Sequence, residues 1–157
     1  MKDFFDHDAA EIDERSLMAI VVGAHLESEL SDRALAYRLR ESILEWQANH
    51  LDDDAESRRP VVCCDLWYLN TQPLRLRPTI SLGRPETNAA TAFLSSRLPT
   101  AFVVDDAFRI QFDPELIELK ACIWGLTPRD TAGGLDCFID RYLGEFLDAV
   151  HAMPTAG

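Results

Sequence analysis

The sequence predicts a single three-layer α/β domain, with helices on both faces of a mixed, mostly parallel sheet of about five or six strands. Three observations lead there. Short branched apolar runs alternate with segments of helical periodicity, the pattern of a layered α/β domain. One pair of runs is close enough to form a hairpin, which rules out a purely parallel sheet. The chain of 157 residues, 47% hydrophobic by the broad count, supplies one core and is too short for two ordinary domains.

Residues 1–15 read as a mobile acidic arm, with Asp3, Asp6, Asp8, Glu11, Asp13 and Glu14 against Lys2 and Arg15. Phe4, Phe5 and Ile12 are its means of docking on the body or on a partner. Residues 16–153 form the domain. Leu17 to Gly23 is a continuous apolar run that ends at a glycine, as a buried central strand does. A polar loop, Ala24 to Glu29, follows, and Ser31 or Asp32 is expected to cap the next helix. Leu35, Leu39 and Ile43 recur every four residues with Trp46 near the same face, so that helix is amphipathic and ends near His50.

Pro60 to Tyr68 is expected as the second strand and Thr79 to Leu82 as the third. Gly83-Arg84-Pro85 turns the chain, and Glu86-Thr87-Asn88 starts a short helix that runs through about Leu98, where Pro99 stops it. Ala101–Val104 and Phe108–Phe112 flank Asp105-Asp106-Ala107 as a hairpin without the usual glycine. Leu119 to Trp124 is a further strand. Thr127-Pro128 starts the last helix with a capping hydroxyl and a proline at its first position. Leu135, Phe138, Tyr142, Phe146 and Val150 give that helix one continuous apolar face.

A net charge of -12 excludes a general binder of bulk nucleic acid, which needs a basic surface. No apolar run is long enough for a membrane span, and the acidic N-terminus is unlike a signal peptide, so the expected location is cytoplasmic. The four cysteines fit that compartment as reduced, buried thiols, since adjacent Cys63 and Cys64 would point to opposite faces of a strand. No spacing suggests a zinc site, and neither a metal nor a cofactor is expected. The acidity is uneven. Between Arg58 and Arg84 stand five arginines and one acid, a local charge of +4, which leaves -16 for the remainder.

Ligands of open α/β sheets bind beyond the carboxyl ends of parallel strands. That rule nominates the loops at Gly23–Glu27, Gly83–Asn88 and Trp124–Thr127, with Asp65, Trp67 and Asn70 at the end of the second strand. The Gly83 turn is the leading candidate. Gly83 lets backbone approach a ligand, amides at a helix start attract anions, and Arg84 suits a phosphate or carboxylate. With one glycine and no lysine-serine pair it is not a P-loop; the plain reading is a strand-to-helix turn capped by Thr87 or Asn88. The same stretch, Gly83, Pro85 and Asn88 with Arg84 between, locally resembles the Gly-Gly-Pro-x-x-Asn element of some surface-layer proteins. That resemblance spans a handful of residues and implies no function.

His25 is the histidine nearest this rim and, beside Glu27 and Glu29, could serve as a general base or a metal ligand; Glu27 could serve as a nucleophile in glycosyl transfer from a nucleoside. The plain readings are a locally bonded loop histidine and a solvated glutamate. Trp67 and Trp124 could stack on a ligand ring, or simply fill the core. The sequence therefore favours a non-catalytic domain that binds a small anionic molecule or a protein partner through Gly83, Arg84, Asn88, Asp65, Trp67, Asn70 and Trp124. The alternative is an enzyme acting on a nucleotide or nucleoside through His25 and Glu27. Exposed aromatics would add a homodimer interface. Any rim site requires Arg84 and His25 in one cleft, with Arg84 not fully paired to a structural carboxylate.

Overall fold

The computed structural model describes residues 14–53, 55 and 57–153. Residues 1–13 of the expected arm lie outside the described residues. Glu14–Ser16 forms a 3-10 turn that leads into β1 (Leu17–Val22). A π-helical turn (Ser28–Asp32) opens α1 (Arg33–His50), and β2 (Arg59–Cys64) follows. Two short helices come next, α2 (Asp65–Leu69) and α3 (Gln72–Arg75), then β3 (Thr79–Leu82) and α4 (Ala89–Ser95). The hairpin β4 (Thr100–Val104) and β5 (Phe108–Phe112) precedes β6 (Lys120–Gly125), α5 (Pro128–Arg141) and α6 (Leu143–Ala152).

The six strands form one sheet in the order β2-β1-β3-β6-β5-β4. β2, β1, β3 and β6 run parallel, while β5 is antiparallel to both β6 and β4. The sheet is thus mixed and mostly parallel, with helices on both sides. Alternation along each strand divides the core. Met18, Ile20 and Val22 of β1, with Ile80, Leu82, Ile110 and Ile123, meet Leu39 and Ile43 of α1 and the apolar faces of α5 and α6. Ala19 and Val21 face the other way, towards Tyr68, Leu74 and Ala90. β1 is buried over its whole length, which is why its sequence is a continuous apolar run rather than an alternating one.

Three local expectations are corrected. The first helix starts before Ser31 and Asp32 rather than after them. The chain is already helical at Leu26, and the Arg33 amide bonds back five residues to the Ser28 carbonyl. That extra residue in the turn lets Ser28 and Asp32 both face inward. β2 ends at Cys64, the residue that pairs with the last residue of β1; beyond it there is no strand to bond, so Asp65–Leu69 coils into α2. Trp67 and Tyr68 are therefore helical. The last helix is interrupted at Tyr142, two residues before Gly144, which lies against the Trp46 indole. The hairpin replaces the missing glycine with Asp106 at φ 60°, a left-handed conformation that short polar residues tolerate. The Thr127 cap and Pro128 stand where the sequence puts them.

Phe138 sits at the centre of the larger core, within 6.3 Å, centroid to centroid, of Phe112, Tyr142 and Phe146. Phe138→Ala is expected to cost about 3–5 kcal/mol, since the cavity it leaves is walled by other rings. The check is a fall in the urea midpoint with an unchanged slope.

Candidate functional site

From β1 the chain moves to one side of the sheet to make β2, then returns past β1 to make β3 on its other side. The carboxyl ends of β1 and β3 therefore flank the switch point where an open α/β sheet leaves a crevice. The loops there are 23–27 and 83–88. They approach so closely that a side chain on Gly23 would place its Cβ 1.8 Å from the Thr87 carbonyl oxygen. Gly83 adopts φ 106°, and a Cβ on it would meet the Asp32 carboxylate at 2.5 Å.

Two buried polar side chains tie the crevice together. Asp65 accepts the amides of Ala24 (3.0 Å), Leu66 (2.7 Å) and Ala89 (2.7 Å), one from each of three segments. The Asn88 amide group donates to the carbonyls of Val21 and Leu82 and to the Ser81 hydroxyl, and its oxygen caps α4 at Ala90 and Thr91. Both residues were candidates for touching a ligand. Their polar atoms face inward, with 5% and 1% of their surfaces exposed, so their work is to hold the loops.

Above them lie the charged groups. Arg84 donates through Nε and Nη2 to the two carboxylate oxygens of Glu27, at 3.0 and 3.1 Å. This pairing holds the Glu27 carboxyl below its ordinary range, with His25 adding to the effect from the same loop. His25 Nδ1 accepts the Glu27 amide at 3.2 Å. The structure thus brings His25, Glu27, Gly83, Arg84, Asp65 and Asn88 together at one rim. But the forked edge with which an arginine grips an anion is already on a carboxylate of the protein itself.

Asp32 joins this group, although its sequence position reads as a helix cap. It is 3% exposed, and burial pushes its carboxyl up to about 6; a hydrogen bond from Ser28 opposes the rise and nearby Glu27 adds to it. No sequence signal marks it, because the π-helical turn that aims it inward has none.

Trp67, Asn70 and Trp124 stand apart from these charges. Trp67 lies on α2 with 56% of its surface exposed. The Asn70 amide bonds back to the Leu66 carbonyl. Trp124 is half-buried on β6; its indole N–H donates to Gln111, and Arg109 lies over its ring. Among the described residues no group of three or more His, Cys, Asp or Glu side chains could hold a metal ion, and all four cysteines are free. Nor is any described helix long and apolar enough to cross a membrane.

A cavity lies at the other end of the sheet, where β3 and β6 begin. This cavity, of about 440 Å3, is bounded by α2, α3, the end of α4 and the loop before β6. Its cations are Arg75, Arg97 and Lys120, and its acid is Glu118. Lys120 Nζ donates to the carbonyls of Arg75 and Arg77, which leaves one of its three donors without a described partner. Burial pulls the Lys120 ammonium down to about 8, with Arg77 and Arg97 lowering it further against the pull of Glu118. None of the three cations forms a described salt bridge. Tyr68 at the cavity wall is bonded to Thr79 at 2.9 Å; the Thr79 hydroxyl in turn donates to the Arg77 carbonyl. Sequence position could not single out this site, because Arg75 comes from α3, Arg97 from beyond α4 and Lys120 from β6.

No protein-family model, curated protein or solved structure matches the chain.

Two outcomes separate the roles at the rim. Asn88→Ala removes a cap and leaves buried carbonyls without donors, so it is expected to cost roughly 2–4 kcal/mol, whereas Arg84→Ala should leave the urea midpoint nearly unchanged. Asp32 gives a pH signature. Its folded-state value of about 6 lies above the ordinary 3.8, so its contribution is fully present below about pH 4 and is lost as the pH rises through 6. Asp32→Asn should match the parent near pH 4 and exceed it by about 3 kcal/mol at pH 7. Parallel urea titrations at the two pH values measure the difference.

Proposed function

We propose that this protein is a non-catalytic α/β domain that binds a small anion, and that the anion sits in the cavity at the amino ends of β3 and β6. The observation that carries this reading is the convergence of Arg75, Arg97 and Lys120 on one cavity of a chain whose net charge is -12. A volume of about 440 Å3 is in the range of small-molecule sites. The half-buried ammonium of Lys120 would gain from an anion, because burial and two arginines work against its charge and Glu118 is the one acid that opposes them. The carboxyl-end rim offers less: its arginine is neutralised by Glu27, and its inner polar groups are spent on the protein. The basic stretch that stands out in the sequence supplies Arg75 to the cavity, and Arg77 beside Lys120.

Inorganic phosphate is the direct probe. Saturating phosphate is expected to raise the melting temperature; at 100 times the dissociation constant the gain is about 2.7 kcal/mol. Arg97→Gln with Lys120→Met should remove it. Because Lys120 loses its charge as the pH rises through about 8, affinity for sulfate, whose own charge is constant over this range, should fall between pH 7 and pH 9 in the parent and stay flat in Lys120→Met. No phosphate effect on the parent at any of these pH values overturns the reading.

A further inference from the structure

We infer that the anion held here carries an apolar chain: the ligand class is a free, singly tailed amphiphile such as an alkyl phosphate. This rests on the anion site just described and extends it. The mouth of the cavity presents Leu76 at 60% exposure, Phe93 at 46% and Ile117 at 79%. They come from three separate segments and line one opening beside the cations. Beneath them Tyr68, Leu94 and Leu119 are buried, so the apolar surface continues inward beside the cations.

The position of Ile117 is built rather than incidental. The Asp113 carboxylate accepts the amides of Glu115, Ile117 and Glu118, at 3.0 to 3.1 Å. Leu116 is held at φ 55°, a conformation costly for a branched side chain. The loop thus keeps a strained residue and holds the next one outward over the cavity.

Charge and size choose the occupant. Three cations against one acid favour an anionic head, and the cavity is too small for a helix or a folded partner. An anionic bilayer would have to approach a chain of net charge -12, which repels it, whereas a free amphiphile of one or two charges meets the local cations first.

The test is calorimetric titration of the full chain with inorganic phosphate and then ethyl, butyl and hexyl phosphate, all as free monomers. Affinity should rise about fourfold per methylene while the chain is being buried. Ile117→Ser and Leu76→Ser, both at exposed positions, should flatten that rise and leave inorganic phosphate binding unchanged. Equal affinity along the series in the parent overturns the chain and leaves the anion site standing. Absence of binding by every member, inorganic phosphate included, overturns the site beneath it. Co-sedimentation with phosphatidylserine vesicles, without saturable binding of hexyl phosphate, overturns the free amphiphile in favour of a membrane surface.

Discussion

The three amides that converge on the Asp65 carboxylate are the constraint on which the rest of this structure depends. Ala24 leads the chain out of β1, Leu66 lies in the first turn of α2, and Ala89 starts α4. One buried side chain therefore sets where three connections leave the sheet. Asn88 does the complementary work from the strand side, bonding carbonyls of β1 and β3 at once. With Gly23 against the Thr87 carbonyl, the two loops at the switch point close on each other. Hydrogen bonds that would otherwise be open to a ligand are satisfied internally, and each is worth more in a buried setting than it would be in water.

This closure explains why the two ends of the sheet differ electrostatically. At the carboxyl end, Arg84 meets Glu27 and the charges cancel locally. Asp32 lies beneath them in a setting that favours its neutral form. At the amino end, Lys120 is also disfavoured by burial; Glu118 opposes that effect, and Arg77 and Arg97 add to it. Backbone carbonyls of Arg75 and Arg77 solvate it in part, and Glu118 is the acid on that cavity. The chain as a whole is strongly acidic, yet the cavity is locally positive. Net charge thus describes the approach of large partners, and the local arrangement describes what can bind once they are near.

The layered fold was legible because it depends on patterns that burial imposes everywhere. A central strand covered on both faces must be apolar throughout, and β1 is. A helix on a sheet must repeat its apolar positions, and α1 does so with Leu39 and Ile43. Asn88 as cap, Thr127 as cap and Pro128 after it follow from backbone groups that every helix start leaves unpaired. The rim cluster was legible in part: the loops named from the strand-end rule do bring His25, Glu27 and Arg84 together. That Arg84 would be matched to Glu27 was not, because 57 residues separate the two and no local preference links them.

The sequence by itself determined the layered class, the core faces and the limits of β1, β3 and β5, since these rest on local periodicity and on turn chemistry within a few residues. Tertiary structure alone decided the strand order, the inward turn of Asp32 through its π-helical start, and the end of β2 at Cys64, where its partner strand stops. It also decided that Arg75, Arg97 and Lys120 share one cavity. Each of these depends on groups far apart along the chain that meet only after the sheet has assembled, and no periodicity records such a meeting.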